Sequence, residues 1–253
     1  MAYEIEIPGV KVLGDEDFGK KIIKEIKTKN IDKKPKGDLS GNIIFYCFNL
    51  DTIDINYVKK ISNEHLHKDD LFIGITKFSS SNKNFKTQLE NLKDLFNSII
   101  LVDINKIRKN LKLDSYLINN LVNFILELSY SYTTPGLVGF DFGDLKDILE
   151  NGKFSTISFV EPINENEFKE IYNLTLKNLF SELELTKNLK ILITLIGGEN
   201  IHYNNICSLL ESFEKELDLN LKNNNIEIVY SARLEKELDK KIKVYIIFSQ
   251  IKI

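Results

Sequence analysis

Hydrophobic and polar residues repeat along this chain in two patterns, which together predict helices and strands in an α/β order. The longest helical pattern spans residues 114–132, where apolar residues recur three and four positions apart, as on a helix with one buried face. Before it, short and nearly continuous apolar runs indicate strands that are buried on both faces, as in a parallel sheet. The predicted strands of this first half are residues 3–13, 42–48, 69–78 and 98–103, and its predicted helices are residues 20–27, 55–66 and 85–96.

After the long helix, strands and amphipathic helices continue to alternate. A strand at residues 153–160 is followed by a helix at 164–183, and a strand at 190–196 is followed by a helix at 202–217. Gly197 and Gly198, between the last two elements, indicate a turn. Two further strands, at residues 226–233 and 241–249, are predicted to pair as a hairpin that closes the chain.

The segment that joins the long helix to this second half holds two closely spaced carboxylates. Pro135 and Gly136 end the long helix, and Asp141 and Asp144 follow, with a short helix predicted at residues 144–149. Aspartate is common in turns and at helix N-termini, so the pair can be one turn residue and one helix cap. The pair can also be an acidic functional site, and spacing alone does not separate these two interpretations.

Composition is typical of a soluble globular protein and narrows the choice of partners. The chain has 253 residues, of which 43% are hydrophobic and 28% are charged, enough for one large domain or two ordinary ones. A net charge of −3, with lysines and acids interleaved, argues against a nucleic-acid partner. We find no long apolar run and no charged-then-apolar leader, and therefore expect a cytoplasmic protein without direct membrane contact. Cys47 and Cys207 are expected to be reduced packing residues.

A strand, a glycine-containing loop and a helix near the N-terminus outline a phosphate-binding loop. Gly14 and Gly19 bracket the loop, and glycines let backbone N–H groups at a helix N-terminus approach a phosphate. Asp15, Glu16 and Asp17 oppose that function, because carboxylates at this position satisfy the helix dipole themselves and repel a polyphosphate. The sequence thus predicts the strand–loop–helix arrangement of a phosphate-binding loop, but with negative side chains where a phosphate would bind.

His65, His67, Asp69 and Asp70 form a cluster of metal-ligating residue types. Residues two apart on a helix point away from each other, so the two histidines suit no common metal geometry unless the helix has already ended. We expect exposed residues at a helix end here, and no metal.

The sequence PGLVGFDFGDLKDIL at residues 135–149 resembles the loop that follows the central helix in the tubulin/FtsZ superfamily. ILITLIGGENI at residues 191–201 and IEIVYSARLEKELDKKIKVYIIF at residues 226–248 are similar to the C-terminal domain of FtsZ. This resemblance implies an FtsZ/tubulin-like α/β fold in three parts. They are a parallel-sheet N-terminal domain at residues 1–113, a central helix at 114–134 and an α+β C-terminal domain at 135–253.

The resemblance also implies a role for the two carboxylates. In that family the loop enters the nucleotide pocket of the neighbouring subunit, and its acidic residues position the water that hydrolyses GTP. Asp141 and Asp144 fall on the two acidic positions, which implies a catalytic role in trans on a partner's GTP. Gly139 stands where the family has Asn, a departure from the full catalytic set.

The positions that would contact a nucleotide within the same subunit depart from the family pattern. Where the family has the signature Gly-Gly-Gly-Thr-Gly-Thr-Gly, residues 49–56 contain no glycine. The side chain that reads guanine aligns with an isoleucine, which cannot hydrogen-bond a base. We therefore expect no bound cofactor. The degenerate cofactor-binding positions are Gly14, Gly19, Asn49, Asp51, Thr52 and Ile118.

Together, the resemblance and these departures imply a pseudo-GTPase of the cell-division or cytoskeletal system. It would bind or cap the filaments of an FtsZ-type partner through its acidic loop, would show no GTPase activity alone and would not form long homopolymers. One alternative is a self-polymerising GTPase that binds GTP in an unusual pocket. Another is an assembly protein whose vacated pocket binds a different small molecule or a peptide.

Overall fold

The computed structural model describes residues 3–15, 17–29, 42–65, 70–78, 84–103, 113–134, 136–150, 154–164, 184–201, 203–220 and 225–252. The first half contains β1 (Tyr3–Ile7), β2 (Val10–Gly14), α1 (Phe18–Thr28), β3 (Ile43–Asn49), α2 (Ile55–His65), β4 (Leu71–Phe78), α3 (Phe85–Glu90) and β5 (Ser98–Asp103). The second half contains α4 (Leu113–Thr133), α5 (Phe142–Glu150), β6 (Phe154–Asn164), β7 (Glu184–Gly197), α6 (Tyr203–Asn220), β8 (Asn225–Leu234) and β9 (Lys241–Lys252).

All the strands in the described ranges belong to one mixed sheet, in the order β1-β2-β3-β4-β5-β6-β9-β7-β8. The neighbours from β2 to β6 run parallel, and so do β7 and β8. β1 and β9 run antiparallel to the strands beside them. A mostly parallel sheet with helices between its strands confirms the predicted α/β class.

The apolar pattern accounts for the interior of this sheet. β3 reads IIFYCFN and is buried at its first six positions, as expected for a strand that is covered on both faces. On one face, the ring of Phe45 meets the ring of Phe124 from α4 edge-on, with centroids 6.3 Å apart. On the other face, Phe48 joins a stacked pair formed by Phe72 and Phe96, whose centroids are 4.8 Å apart.

The two halves of the chain are joined within this sheet. β5 pairs with β6, and β6 pairs with β9, so the hydrogen-bond ladder runs from the first half into the second. Buried hydroxyl groups cross the same three strands: Ser98 Oγ and Ser155 Oγ lie 2.8 Å apart, and Ser155 donates to Ser249 at 3.1 Å. α4 packs on both halves, because Phe124 also contacts Tyr245 of β9. Although α4 is 21 residues long, neither it nor another described helix is apolar enough to cross a membrane.

Three predicted elements differ from the structure. Residues 3–13 form two antiparallel strands rather than one, because Gly9 adopts a φ of +67° and reverses the chain. The predicted hairpin of residues 226–233 and 241–249 is wrong: β7 lies between β8 and β9 and pairs with both. Alternating apolar and polar residues identify a strand but not the strand that lies beside it. Residues 235–240 pass the end of β7 and connect β8 to β9. The helical pattern at residues 85–96 divides into α3 and a 3-10 turn.

Helix boundaries also shift by a few residues. α4 begins at Leu113, one residue before the start of the predicted helical pattern at residue 114. α5 begins at Phe142 rather than at residue 144, which changes the role of Asp141. The predicted helix at residues 164–183 lies almost entirely outside the residues that the structure describes.

Candidate functional site

Asp15 lies where the end of β2, the start of α1 and the end of β3 meet. Its Oδ1 accepts hydrogen bonds from the backbone N–H of Asp17 at 3.2 Å and of Gly19 at 2.9 Å. Its Oδ2 accepts the backbone N–H of Asn49 at 2.6 Å. The Asp15 N–H donates to the Cys47 carbonyl at 3.1 Å, which holds the loop against β3. Backbone donors that face this loop are therefore bound by the chain's own carboxylate.

Gly14 and Gly19 allow close backbone packing at the same point. A Cβ atom on Gly14 would overlap the backbone of Gly19, and a Cβ atom on Gly19 would lie 2.6 Å from the Cys47 carbonyl oxygen. The two glycines therefore let β2, α1 and β3 converge, a packing role that needs no ligand.

The loop after β3 closes on itself. The Asn49 carbonyl accepts the Thr52 N–H at 3.1 Å, and the resulting turn leaves Asp51 and Thr52 exposed. Asp54 Oδ1 then accepts two backbone N–H groups in the first turn of α2, at 3.0 and 3.1 Å. The N-terminus of α2 is thus capped by Asp54, as the N-terminus of α1 is bound by Asp15.

Ile118, at the position aligned with the guanine-reading residue, belongs to the hydrophobic core. Its side chain is only 9% exposed and lies in the cluster that also contains Phe18 of α1 and Val102 of β5. The side chain therefore contributes apolar packing, with no group that could recognise a base.

Asp141 and Asp144 form a reciprocal capping box at the start of α5. Asp141 Oδ1 accepts the Asp144 N–H at 2.9 Å, and Asp144 Oδ2 accepts the Asp141 N–H at 2.9 Å. The predicted cap at Asp144 is therefore corrected: Asp141 is the N-cap, and Asp144 is the third residue of the helix. Both side chains are exposed. The capping box fixes the orientation of both carboxylates at the surface.

The acidic loop, defined here as residues 136–144, is also bound to the edge of the sheet. Ala232 of β8 accepts the Leu137 N–H at 2.8 Å and donates its own N–H to the Val138 carbonyl at 2.9 Å. A Cβ atom on Gly136 would lie 2.7 Å from the Ala232 carbonyl oxygen, so glycine is needed where the loop crosses β8. The acidic loop is thus held at both ends, by β8 and by the capping box.

An ion pair between the buried Glu127 and the partly buried Arg233 lies beside this junction. Arg233 Nε donates to Glu127 Oε2 at 2.7 Å and Arg233 Nη2 to Glu127 Oε1 at 2.6 Å, and Nη2 also donates to Glu235 at 2.7 Å. Burial raises the pKa of the Glu127 carboxyl, and the charge of Arg233 opposes that shift. Burial by itself lowers the pKa of Arg233, but Glu127 and Glu235 reverse the effect and raise it. The pair ties α4 to β8 where the acidic loop is attached.

Sequence reasoning did not identify this ion pair. The available signals were a glutamate within the apolar run of α4 and an arginine near the end of β8, since charges in buried elements are usually paired. It predicted that Asp15 favours the helix dipole and repels a polyphosphate, but it missed that the Asp15 carboxylate accepts three specific backbone hydrogen bonds, one of them from the end of β3.

The acidic loop and Asp15 lie at opposite ends of the molecule's long central helix. α4 ends beside the turn between β1 and β2, where Ser129 Oγ donates to the Pro8 carbonyl at 2.5 Å. Asp15 follows the far end of β2, and a strand of five residues spans roughly 17 Å. The structure therefore does not bring Asp141 and Asp144 together with the degenerate positions around Gly14 and Asn49.

The histidine and aspartate cluster is only partly described. His65 Nδ1 and Asp70 Oδ2 lie 2.8 Å apart, and Asn42 donates to the other oxygen of Asp70 at 2.9 Å. His67 and Asp69 lie outside the described residues. Within the ranges that the structure covers, no three His, Cys, Asp or Glu side chains are grouped as metal ligands.

Comparison with known proteins was made by sequence and by structure. No protein-family model matches the chain. The cell division protein FtsZ of Haloferax mediterranei is 22% identical over 177 residues, covering 66% of this chain and 45% of that protein. FtsZ 1 of Methanocaldococcus jannaschii is 22% identical over 175 residues, covering 67% of this chain and 47% of that protein. The chain spans about half the length of these curated relatives.

Solved structures share the architecture. A point mutant of M. jannaschii FtsZ matches with a TM-score of 0.65 and 19% identity, covering 82% of this chain and 65% of that one. TubZ of Bacillus thuringiensis serovar israelensis, solved as GDP-form protofilaments, matches with a TM-score of 0.62 and 11% identity, covering 83% of this chain and 62% of that one. The chain has the tubulin/FtsZ fold. The fold that was expected from the resemblance at residues 135–149 is therefore confirmed for this FtsZ-like chain.

Proposed function

We propose that this FtsZ-like chain is a cytoplasmic pseudo-GTPase of the cell-division or cytoskeletal system. It binds an FtsZ-type protein through the acidic loop and caps or modulates that protein's filaments. The observation that carries the proposal is a contrast between the two ends of the molecule. At one end Asp15 and Asp54 bind the backbone donors of two helix N-termini, while at the other end Asp141 and Asp144 stay exposed in a fixed geometry.

The absence of GTP binding by the chain itself is supported by charge and by packing. A polyphosphate needs free backbone N–H groups, and here it would meet carboxylates that already accept them. A guanine base would meet the buried Ile118, which offers no hydrogen bond. We therefore propose that the chain neither binds nor hydrolyses GTP alone.

The surface around the acidic loop supports a role in protein binding. Leu137 and Leu234 are 46% and 39% exposed, and both line a cleft of about 380 Å³ together with Tyr130 and Arg233. Apolar side chains next to exposed charges are typical of the centre and rim of a protein interface.

The role in trans follows by analogy with the assembled relatives. TubZ has been solved as protofilaments, and CetZ2 of Haloferax volcanii as a protofilament with bound GTPγS. In a head-to-tail contact, Asp141 and Asp144 would face a nucleotide held by the partner and could complete its hydrolytic site. A homopolymer would instead bring the acidic loop against the acidic end around Asp15 and Asp51, and like charges disfavour that contact.

The test is to mix the purified chain with the FtsZ of the same cell and to measure phosphate release and sedimentation of the FtsZ filaments. The wild-type chain should change both quantities. Asp141→Asn with Asp144→Asn should abolish the effect with little change in the melting temperature, because Asn at the N-cap caps a helix about as well as Asp and the amide oxygen introduced at position 144 can still accept the N–H of residue 141.

The matched control is Asp51→Asn with Asp54→Asn. It removes the same charge from the other end of the molecule, keeps the cap of α2 and should act like the wild type. The proposal is refuted if the wild-type chain never affects FtsZ, or if the Asp141 and Asp144 double variant acts as the wild type does. GTP-dependent filaments of the chain alone would favour a self-polymerising GTPase instead.

A further inference from the structure

β8 is an outer strand of the sheet, and its outer side is paired at one end only. It pairs with β7 in continuous register from Asn225 to Leu234. On its other side the acidic loop reaches the strand at Ala232. Among the residues that the structure describes, no other strand lies on that side of β8.

The hydrogen bonds of Ala232 show which backbone groups of β8 point outward. Its N–H donates to the acidic loop at 2.9 Å and its carbonyl accepts from the same loop at 2.8 Å, so both groups point away from β7. Backbone groups alternate between the two sides of a strand, so those of Ile226, Ile228 and Tyr230 also point away from β7. Within the described ranges these outward groups have no backbone partner. Residues 226–230 are called the free edge of β8 below.

The two outer strands of the sheet are protected to different degrees. β1 is five residues long, carries Glu4 and Glu6, and is followed by Pro8. Short length, charged side chains and proline are common means by which an edge strand avoids pairing with another chain. β8 is ten residues long, and the single acid of its free edge, Glu227, lies 3.0 Å from the ammonium group of Lys190. The free edge therefore lacks the protection that β1 has.

We propose that the free edge pairs antiparallel with the free edge of a second copy of this chain, around a two-fold axis at Ile228. In this register Ile228 lies opposite its counterpart, and Ile226 lies opposite Tyr230 on either side of the axis. Each opposed pair exchanges two hydrogen bonds, so every outward backbone group of the free edge finds a partner. Any shift of the register leaves some of these groups unpaired or requires Ala232, which already binds the acidic loop.

The side chains fit the same register. Ile226, Ile228 and Tyr230 are partly buried and pack on one core cluster, so they lie on the same face of the sheet with part of each side chain still exposed. Opposed apolar and aromatic side chains stabilise an antiparallel pair. On the other face Glu227 lies opposite Val229, so no like charges are directly opposed. The free edge is therefore complementary to itself in hydrogen bonds, apolar contacts and charge.

A two-fold contact of this kind closes on itself and gives a dimer rather than a filament. It uses neither the acidic loop nor the degenerate positions around Gly14 and Asn49. The inference concerns the isolated chain and stands or falls independently of an FtsZ-type partner.

Sedimentation velocity at rising protein concentration tests the dimer. The wild type should pass from monomer to dimer as the concentration rises through the micromolar range. Ile228→Pro removes the N–H at the axis, which bonds to no described backbone group, and proline is tolerated in edge strands. This variant should keep the wild-type circular dichroism spectrum and stay monomeric. Ile228→Val, the control, keeps the N–H and should dimerise as the wild type does.

A disulfide between the two copies tests the register. In a Cys207→Ser background, with Cys47 buried, Ile228→Cys places two thiols at the axis. The Cα atoms of such a pair are about 5.5 Å apart, which a disulfide can span. Val229→Cys is the matched control, because residue 229 lies diagonally from its counterpart, at about 7–8 Å. Mild oxidation should give a covalent dimer of Ile228→Cys and little of Val229→Cys.

Three results would each overturn the inference. They are a wild type that stays monomeric at high micromolar concentrations, a folded Ile228→Pro variant that dimerises as the wild type does, and equal cross-linking of the two cysteine variants. If Ile228→Pro does not fold, the comparison of Ile228→Cys with Val229→Cys decides.

Discussion

Asp141 has a structural role and a proposed functional role, because its carboxylate caps α5 and is also exposed in the acidic loop. Two different substitutions of Asp141 separate these roles. Asp141→Ala removes the cap and should lower the free energy of unfolding by about 1 kcal/mol, whereas Asp141→Asn should change it by only a few tenths. Urea denaturation measures both values. Equal stability of the two variants would show that the capping box contributes nothing.

Substitution of Ile118 tests whether one residue change is enough to allow guanine recognition at this position. Ile118→Asn places an amide in the core cluster that also contains Phe18 and Val102, and an unsatisfied buried polar group costs about 1–3 kcal/mol beyond the lost apolar burial. Ile118→Val, the control, should cost only about 0.5–1.5 kcal/mol. We expect Ile118→Asn to be clearly less stable and still not to bind GDP in a calorimetric titration. A stable Ile118→Asn variant that binds GDP would contradict this account.

At the scale of elements, the Glu127–Arg233 pair links α4 to β8. Arg233→Met leaves the Glu127 carboxylate buried without its partner and should cost about 3–5 kcal/mol at pH 7. Burial already raises the pKa of Glu127, and loss of Arg233 raises it further, so the folded variant favours protonated Glu127. A raised pKa adds stability below the unfolded value and loses it as the pH rises, so the defect should shrink between pH 7 and pH 4.5.

Glu25→Gln is the control for that experiment. It breaks the partly exposed ion pair between Glu25 and Lys29, whose charged atoms lie 3.3 Å apart, and should change stability by less than about 0.5 kcal/mol. Guanidinium chloride is unsuitable because it screens charges, so urea is used at each pH. A defect of Arg233→Met that equals that of Glu25→Gln, or that does not depend on pH, would contradict the assigned role.

Elements with strong periodicity were predictable from the sequence, and their partners were not. β3 follows from an almost unbroken apolar run, and α4 follows from apolar residues that recur three and four positions apart. The order of β7, β8 and β9 does not, because alternation along a strand carries no information about the strand beside it. In the candidate site, Asp141 and Asp144 were found through the resemblance, while the pairing of Glu127 with Arg233 required two residues 106 positions apart to be placed in space.

At the scale of the whole molecule, the continuous sheet predicts a single unfolding transition. β5, β6 and β9 share one ladder, and α4 packs on strands from both halves. Cys47 is a suitable probe, since its thiol is buried in β3 and burial raises its pKa, so it should not react in the folded protein. In a Cys207→Ser variant, labelling of Cys47 and circular dichroism should report the same denaturation midpoint. Two separate midpoints would show that the halves unfold independently.

The central claim is that this chain keeps the FtsZ-like fold without a nucleotide site of its own. Calorimetric titration of GTP with Mg²⁺ into the isolated chain tests it most directly. The account predicts no binding at micromolar concentrations, because Asp15 and Asp54 accept hydrogen bonds from the backbone donors and the residue aligned with the family's guanine-reading side chain is the buried, apolar Ile118. A saturable heat of binding with a micromolar Kd would contradict it.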